Sequence, residues 1–113
     1  MEHKDEQFTI IYLPTVRLSL EKISAFHRRI GNDYNAIIAR VIDEFESRVR
    51  HFPTSCPVSS QLADLGATRY REFNSSENYR ILFSIEENTV FVHVLVSYRQ
   101  SIQQLLLRRI LVH

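Results

Sequence analysis

Hydrophobic and polar residues alternate with a period of two in the second half of the chain, which is typical of β-strands. Three such segments follow one another closely: Thr68 to Asn74, Tyr79 to Glu86 and Val90 to Tyr98. The links between them, SSEN and EN, are long enough only for hairpins. The pattern therefore predicts an antiparallel three-stranded meander.

The same alternation predicts the two faces of this sheet. The residues predicted to face the core are Tyr79, Ile81, Phe83, Ile85, Val90, Val92, Val94 and Val96. The opposite face carries a mixture of apolar and polar side chains: Arg80, Leu82, Ser84, Phe91, His93 and Leu95. Because this second face is only half polar, we expect something to cover it in part.

A strand and a helix are predicted before the meander. The β-rich segment Phe8 to Pro14 stops at a proline and predicts the first strand. A helix follows, beginning between Thr15 and Ser19 and ending at Gly31.

A second helix is predicted from Asn32 or Asp33 up to Pro53, which stops it. Its apolar residues recur at helical spacing and are expected in the core: Ile37, Ile38, Val41, Ile42, Phe45, Val49 and Phe52. Because the link between the two helices is short, they are expected to form an antiparallel hairpin.

The remaining segments are a loop and a last helix. Residues 53–67 contain two prolines and three serines and predict a loop, with a short helical turn around Leu62 to Leu65. A final helix is predicted near Ser101 to Leu111. The whole pattern predicts one α+β domain over residues 1–113: an N-terminal strand, an α-helical hairpin, a three-stranded antiparallel meander and a C-terminal helix.

Composition narrows the class of protein. The 113 residues are 44% hydrophobic and 24% charged, with a net charge of +1, which is typical of a globular protein and argues against strong nonspecific binding to nucleic acid. Cys56 is the only cysteine, and the first eight residues, MEHKDEQF, lack the apolar run of a signal peptide. We therefore expect a cytoplasmic protein that does not cross a membrane.

The chemistry-bearing residues do not form a catalytic or metal-binding motif. The histidines are terminal, as His3 and His113 are, or lack a partner at ligand spacing, as His27, His51 and His93 do. Cys56 has no histidine at motif distance, and no glycine-rich phosphate loop occurs. We expect no metal, no cofactor and no catalytic residue of these kinds.

Arginine is the one residue type whose placement suggests a site. Every basic residue after Ala67 is an arginine: Arg69, Arg71, Arg80, Arg99, Arg108 and Arg109. The alternation allows Arg80 to share a sheet face with Arg69 and Arg71, while Arg99 leaves the last strand at the start of the final helix. Guanidinium groups suit phosphate, carboxylate and aromatic surfaces. A purely structural role, such as an ion pair of Arg80 with Glu72 or Glu86, is the alternative.

The segments REF, YRILFSI and VFVHVLVSYRQSI, together with the order of elements, resemble the RelE/ParE superfamily of bacterial type II toxins. RelE-type members are ribosome-dependent nucleases that cut mRNA. By this resemblance Arg80 and Arg99 match the two phosphate-binding arginines of that branch, and Arg71 matches the first of its paired lysines. Phe73 stands where the second lysine would be, and Leu105 stands near the tyrosine of the C-terminal helix.

ParE-type members have a similar fold but lack that acid/base set, and this chain is closer to them. The resemblance implies a toxin that binds DNA gyrase, or a related topoisomerase, and is neutralised by an antitoxin protein encoded beside it. Contact with nucleic acid would then be indirect, through the target or through the antitoxin on operator DNA. The residues expected to bind the target or antitoxin are Arg69, Arg71, Arg80, Tyr98 and Arg99. The first alternative is a RelE-type mRNA endonuclease, and a non-toxic adaptor on the same fold is the second.

Overall fold

A computed structural model describes residues 7–18, 20 and 34–97 of the chain. The first strand, β1, is Thr9–Tyr12, and residues 14–18 and 20 are helical and form α1. Helix α2 is Tyr34–Val49, and it is followed by a 3₁₀ turn, Pro53–Ser55, and a short helix α3, Ser60–Ala63. The remaining strands are β2 (Arg71–Asn74), β3 (Tyr79–Glu86) and β4 (Thr89–Ser97).

The four strands form one sheet in the order β1-β4-β3-β2. Strands β2, β3 and β4 pair antiparallel in sequence order, so the predicted meander is confirmed. Strand β1 lies parallel to β4, with Thr9 beside Thr89 and Tyr12 beside Val92. The mixed α+β class is therefore confirmed, while the predicted link at Gly31 and the predicted helix from Ser101 to Leu111 lie outside the described residues.

Helix α2 packs on one face of the sheet, which we call the α2 face. Its buried residues Val41, Phe45 and Val49 recur every four positions, as the sequence predicts. The Phe45 ring lies edge-on to the rings of Phe73 and Phe83, with centroids 5.5 and 5.7 Å away. This aromatic group forms the centre of the main core.

The prediction that Phe52 belongs to this core is wrong, because its side chain is 68% exposed. Helix α2 ends at Val49, and the chain then turns into the 3₁₀ segment, in which Pro53 is buried instead. Phe52 therefore no longer lies on the helical face that Phe45 and Val49 share.

A β-bulge changes the predicted assignment of β4 to the two faces. Leu82 pairs with Val94, but its neighbour Phe83 pairs with Val92, so His93 has no opposite residue on β3. An extra residue of this kind interrupts the alternation of side chains. The shared face predicted for the four valines of β4 is therefore wrong, since Val90 and Val92 lie in the main core and Val94 and Val96 lie on the other side.

A second hydrophobic cluster covers that other side, which we call the α3 face. Its buried members are Leu62, Tyr70, Leu82, Val94 and Val96. Leu62 belongs to α3, whose N-cap residue Ser59 accepts a hydrogen bond from the Leu62 backbone N–H at 3.4 Å. The expectation that this face is partly covered is confirmed, and α3 begins two residues before the helical turn predicted from the sequence.

Within the described residues, no helix combines the length and the hydropathy that crossing a bilayer requires.

Candidate functional site

Arg80 lies on the α3 face, near the start of β3. It pairs with Asn74 of β2 and Val96 of β4, and Val96 belongs to the cluster on this face. Its guanidinium lies 3.2 Å from Gln61 Oε1 and 3.6 Å from Glu72 Oε2. The side chains of Arg80 and Glu72 are 24% and 15% exposed. Arg80 is thus half-buried, and the ion pair with Glu72 that the sequence left as an alternative is present.

Arg69 is an exposed cation just before β2. One of its terminal nitrogens donates a hydrogen bond to the Tyr70 hydroxyl at 3.3 Å, and its guanidinium carbon lies 5.2 Å from the centre of the Tyr70 ring. Tyr70 is buried in the cluster on the α3 face. Arg69 is therefore connected to that face through its contact with Tyr70.

Arg71 is on the opposite face, so its predicted place beside Arg80 is wrong. It pairs with Phe83, whose ring belongs to the main core, whereas Arg80 lies two residues from Leu82 on the α3 face. The Arg71 guanidinium donates to the backbone carbonyls of Cys56 and Thr54, at 2.5 and 3.3 Å. Arg71 therefore joins strand β2 to the loop that follows α2.

Phe73 occupies the position at which the RelE-type resemblance would require a second lysine. It is 4% exposed and packs edge-on against Phe45. A lysine at this position would bury its charged ammonium group away from water and without an ionic partner, which is strongly unfavourable. Phe73 is therefore a core residue, whereas Arg71, which matches the first of the paired lysines, is partly exposed.

Ser84 and His93 form a hydrogen bond on the α3 face that the sequence did not predict. Ser84 Oγ lies 2.9 Å from His93 Nε2, and the His93 ring stands edge-on to Tyr70 with centroids 4.9 Å apart. Desolvation by burial lowers the pKa of His93 to about 4, and the nearby Arg69 charge acts in the same direction. The imidazole is therefore neutral at physiological pH.

This pair has a structural rather than a catalytic arrangement. Ser84 and His93 are only 4% and 8% exposed, so a substrate has little access to either of them. Alternation alone places His93 on this face, as the sequence predicts, and the bulge brings the next residue, Val94, to the same face. A serine and a histidine on the same face of adjacent strands could have indicated this hydrogen bond from the sequence. Nothing in the valine-rich sequence of β4 indicates the bulge.

The apolar surface expected beside the arginines is mostly buried. Leu82 is fully covered by the cluster on the α3 face, and Leu95 lies in the main core beyond the bulge. Phe91 remains half-buried. Both leucines are therefore buried, and the predicted place of Leu95 on the same face as Leu82 is wrong.

Two of the predicted site residues, Tyr98 and Arg99, and the position of Leu105 lie outside the described residues. Over the described ranges, no group of three histidine, cysteine, aspartate or glutamate side chains is arranged to hold a metal ion. Cys56 is 2% exposed, and burial raises the pKa of its thiol, so the thiol is protonated at neutral pH.

The candidate binding residues that the structure describes on the α3 face are Arg69 and Arg80. They lie toward opposite ends of β3, since Arg69 is near Glu86 and Arg80 is beside Asn74. Their exposed and half-buried guanidinium groups can each bind carboxylate, phosphate or aromatic groups. Among the described residues, the imidazole on this face, that of His93, is buried and neutral. Neither a protein-family model nor a curated protein matches the chain in comparisons with known proteins.

Proposed function

We propose that this chain is a growth-inhibiting toxin similar to the ParE type, which acts in the bacterial cytoplasm by binding DNA gyrase or a related topoisomerase. The observation that carries the proposal is the order of elements. Strand β1 and the helices α1, α2 and α3 precede an antiparallel meander whose middle strand begins with Tyr79 and Arg80. This is the order on which the resemblance to the RelE/ParE superfamily rests.

Two features favour binding over mRNA cleavage. Phe73 is a core residue, and Arg71 is bonded to backbone carbonyls on the face opposite Arg80. A nuclease of the RelE type would need cations at positions 71 and 73 that could contact the same phosphate as Arg80. Loss of a proton-transfer group typically costs a factor of about 10² to 10⁴ in rate, so the residues present support a non-catalytic toxin.

The exposed cation Arg69 is the described residue best placed to meet the target. It is free of the ion pair that holds Arg80 to Glu72, and it lies at the edge of the α3 face. Tyr98 and Arg99 belong to the same proposed surface through the resemblance alone. Arg80 contributes through its partly exposed guanidinium.

Induction of the chain in bacterial cells tests the proposal, with plasmid supercoiling and mRNA integrity measured in the same cultures. The proposal expects growth arrest with relaxed plasmid and intact mRNA. Arg69→Glu should relieve the arrest, whereas the control Arg17→Glu should not, because Arg17 is also exposed but lies on α1. Growth arrest accompanied by cut mRNA and normal supercoiling would instead support the RelE-type alternative.

A cognate antitoxin with an acidic tail is the proposed partner. Its carboxylates would meet Arg69 and Arg80, so binding should weaken as salt screens the charges. Calorimetric titration with the C-terminal peptide of the neighbouring gene product, at two salt concentrations, measures this. Binding that is indifferent to both salt and Arg69→Glu would contradict the proposed contact.

A further inference from the structure

The two edges of the sheet differ in how they are covered. Along β2, the Ser59 N–H donates to the Tyr70 carbonyl at 2.8 Å, and the Glu72 N–H donates to the Pro57 carbonyl at 2.9 Å. Val58 forms a bridge with Arg71 between these bonds. The β2 edge is therefore closed by the chain itself from Tyr70 to Glu72. For β1, the pairing is with β4 alone, and no other described backbone pairs with its outer side.

The backbone groups on the outer side of β1 can be identified from its bonds on the inner side. The Thr9 N–H donates to the Asn88 carbonyl at 3.0 Å, and the Leu13 N–H donates to the Val92 carbonyl at 2.9 Å. Because backbone groups alternate in direction along a strand, those of Ile10 and Tyr12 point away from β4.

One further bond sets the limit of this open edge. The Phe8 N–H, which would be the next outward group, already donates to the Arg50 carbonyl at the end of α2, at 2.8 Å. The open edge therefore has two residues with outward backbone groups, Ile10 and Tyr12.

The side chains of β1 do not protect this edge. Exposed edge strands are usually blunted by charged residues, proline or a bulge, and the sequence of β1, TIIY, has none of these. Ile11 is 41% exposed and Tyr12 is 38% exposed. Ile11 lies beside Phe91, which is half-buried, so the apolar surface continues onto β4.

We propose that the outer edge of β1 pairs antiparallel with β1 of a second copy of this chain, around a two-fold axis at Ile11. In this register Ile10 exchanges backbone hydrogen bonds with Tyr12 of the second copy, and Tyr12 does so with Ile10 of that copy. Every outward N–H and C=O group of the edge then has a partner. Ile11 meets its own symmetry mate at a position without backbone hydrogen bonds.

A second copy fits this edge better than an unrelated peptide for two reasons. The pattern of outward groups is symmetric about Ile11, so the same short segment is its own complement. The segment also carries no charge with which to select a peptide of opposite charge. A pairing of four-residue strands buries little area, so the dimer is weak and depends on concentration. This inference does not depend on the proposed function.

Sedimentation of the full chain from micromolar to millimolar concentration tests the proposal. The wild type should shift from monomer to dimer as its concentration rises. Ile11→Lys places like charges opposite each other across the axis and should weaken the dimer about tenfold or more. The matched control is Val58→Lys, since Val58 is also 41% exposed but lies on the closed edge, and it should leave dimerisation unchanged.

Cross-linking tests the register. In a Cys56→Ala background, Ile11→Cys should form a disulfide between two copies, because facing residues at such positions have Cα atoms about 4.5 Å apart, within the range that disulfides span. Ile10→Cys should not, since Ile10 faces Tyr12. A wild-type chain that stays monomeric throughout, or a cysteine at Ile11 that cross-links no faster than one at Val58, would overturn the proposal. Pairing only with a strand from another protein would overturn it as well.

Discussion

Ser84 and His93 are hydrogen-bonded across β3 and β4, with Ser84 Oγ 2.9 Å from His93 Nε2. Their bond lies on the α3 face, where the His93 ring also contacts the Tyr70 ring. Burial keeps the imidazole neutral by lowering its pKa to about 4. A histidine that looks isolated in the sequence is thus part of the packing that holds the second face together.

The free energy of unfolding should decrease as the pH falls, because of His93. In the unfolded chain His93 takes up a proton near its ordinary pKa of 6.5, but in the folded chain it does so only near 4. Between these values the unfolded state binds more protons, so the free energy of unfolding decreases as the pH falls. Above about pH 6.5 His93 is neutral in both states, so none of this free energy of unfolding is lost. Chemical denaturation at a series of pH values measures this change.

His93→Gln provides the control, since it removes the titrating group and keeps a polar side chain near Ser84. Between pH 7 and pH 5 the wild type should lose about 1 to 2 kcal/mol more than this variant, because each pKa unit corresponds to about 1.4 kcal/mol. Arg69, the charge that acts on His93, and the Arg80–Glu72 ion pair of this face are present in both proteins. Equal pH dependence of the two proteins would show that His93 is not held neutral by the fold.

The core position of Phe73 leads to a second prediction. Because Phe73 packs against Phe45 and is 4% exposed, Phe73→Ala should lower the free energy of unfolding by about 3 to 5 kcal/mol. The matched control is Phe52→Ala, which removes an equal side chain that is 68% exposed and should change stability by less than about 0.5 kcal/mol. Similar losses for the two variants in urea denaturation would contradict the assignment of Phe73 to the core.

The half-buried ion pair of Arg80 and Glu72 leads to a third prediction. A double-mutant cycle with Arg80→Ala and Glu72→Ala should give a coupling free energy of about 1 kcal/mol, at the upper end for ion pairs that are not fully buried. Arg80→Ala is therefore expected to lower the thermal midpoint measurably, and not to leave it unchanged as for a fully exposed arginine.

Glu72→Gln separates the structural role of Arg80 from a role in target binding. It removes the ion pair but keeps the arginine. If Arg80 also meets the target, Glu72→Gln should still arrest growth in cells while Arg80→Gln should not. Equal loss of growth arrest in both variants would mean that Arg80 acts only through its pairing with Glu72.

The sequence predicts the regular parts of this fold well. The spacing of Val41, Phe45 and Val49 and the short links between β2, β3 and β4 each reflect a local rule, and the structure follows them. The position of β1 beside β4 depends on pairing between distant segments, for which its own four residues carry no signal.

The differences on the sheet have one physical origin. A β-bulge depends on how two strands pair, and each strand alone still alternates, so the sequence assigns Val94, Val96 and Leu95 to the wrong faces. The separation of Arg71 from Arg80 depends in the same way on register, which places Arg71 opposite Phe83. Alternation within β3 places Arg80 on the second face, whereas the face of Arg71 could be found only from the pairing of β2 with β3.

Purified DNA gyrase provides the most direct test of the proposed target. The account predicts that the chain inhibits supercoiling of a relaxed plasmid, and that purified ribosomes with bound mRNA show no codon-biased cuts at the same concentration. Arg69→Glu should weaken the inhibition and Arg17→Glu should not, since both residues are exposed but only Arg69 lies at the α3 face. Ribosome-dependent cutting of mRNA by the chain, with gyrase unaffected, would contradict the account.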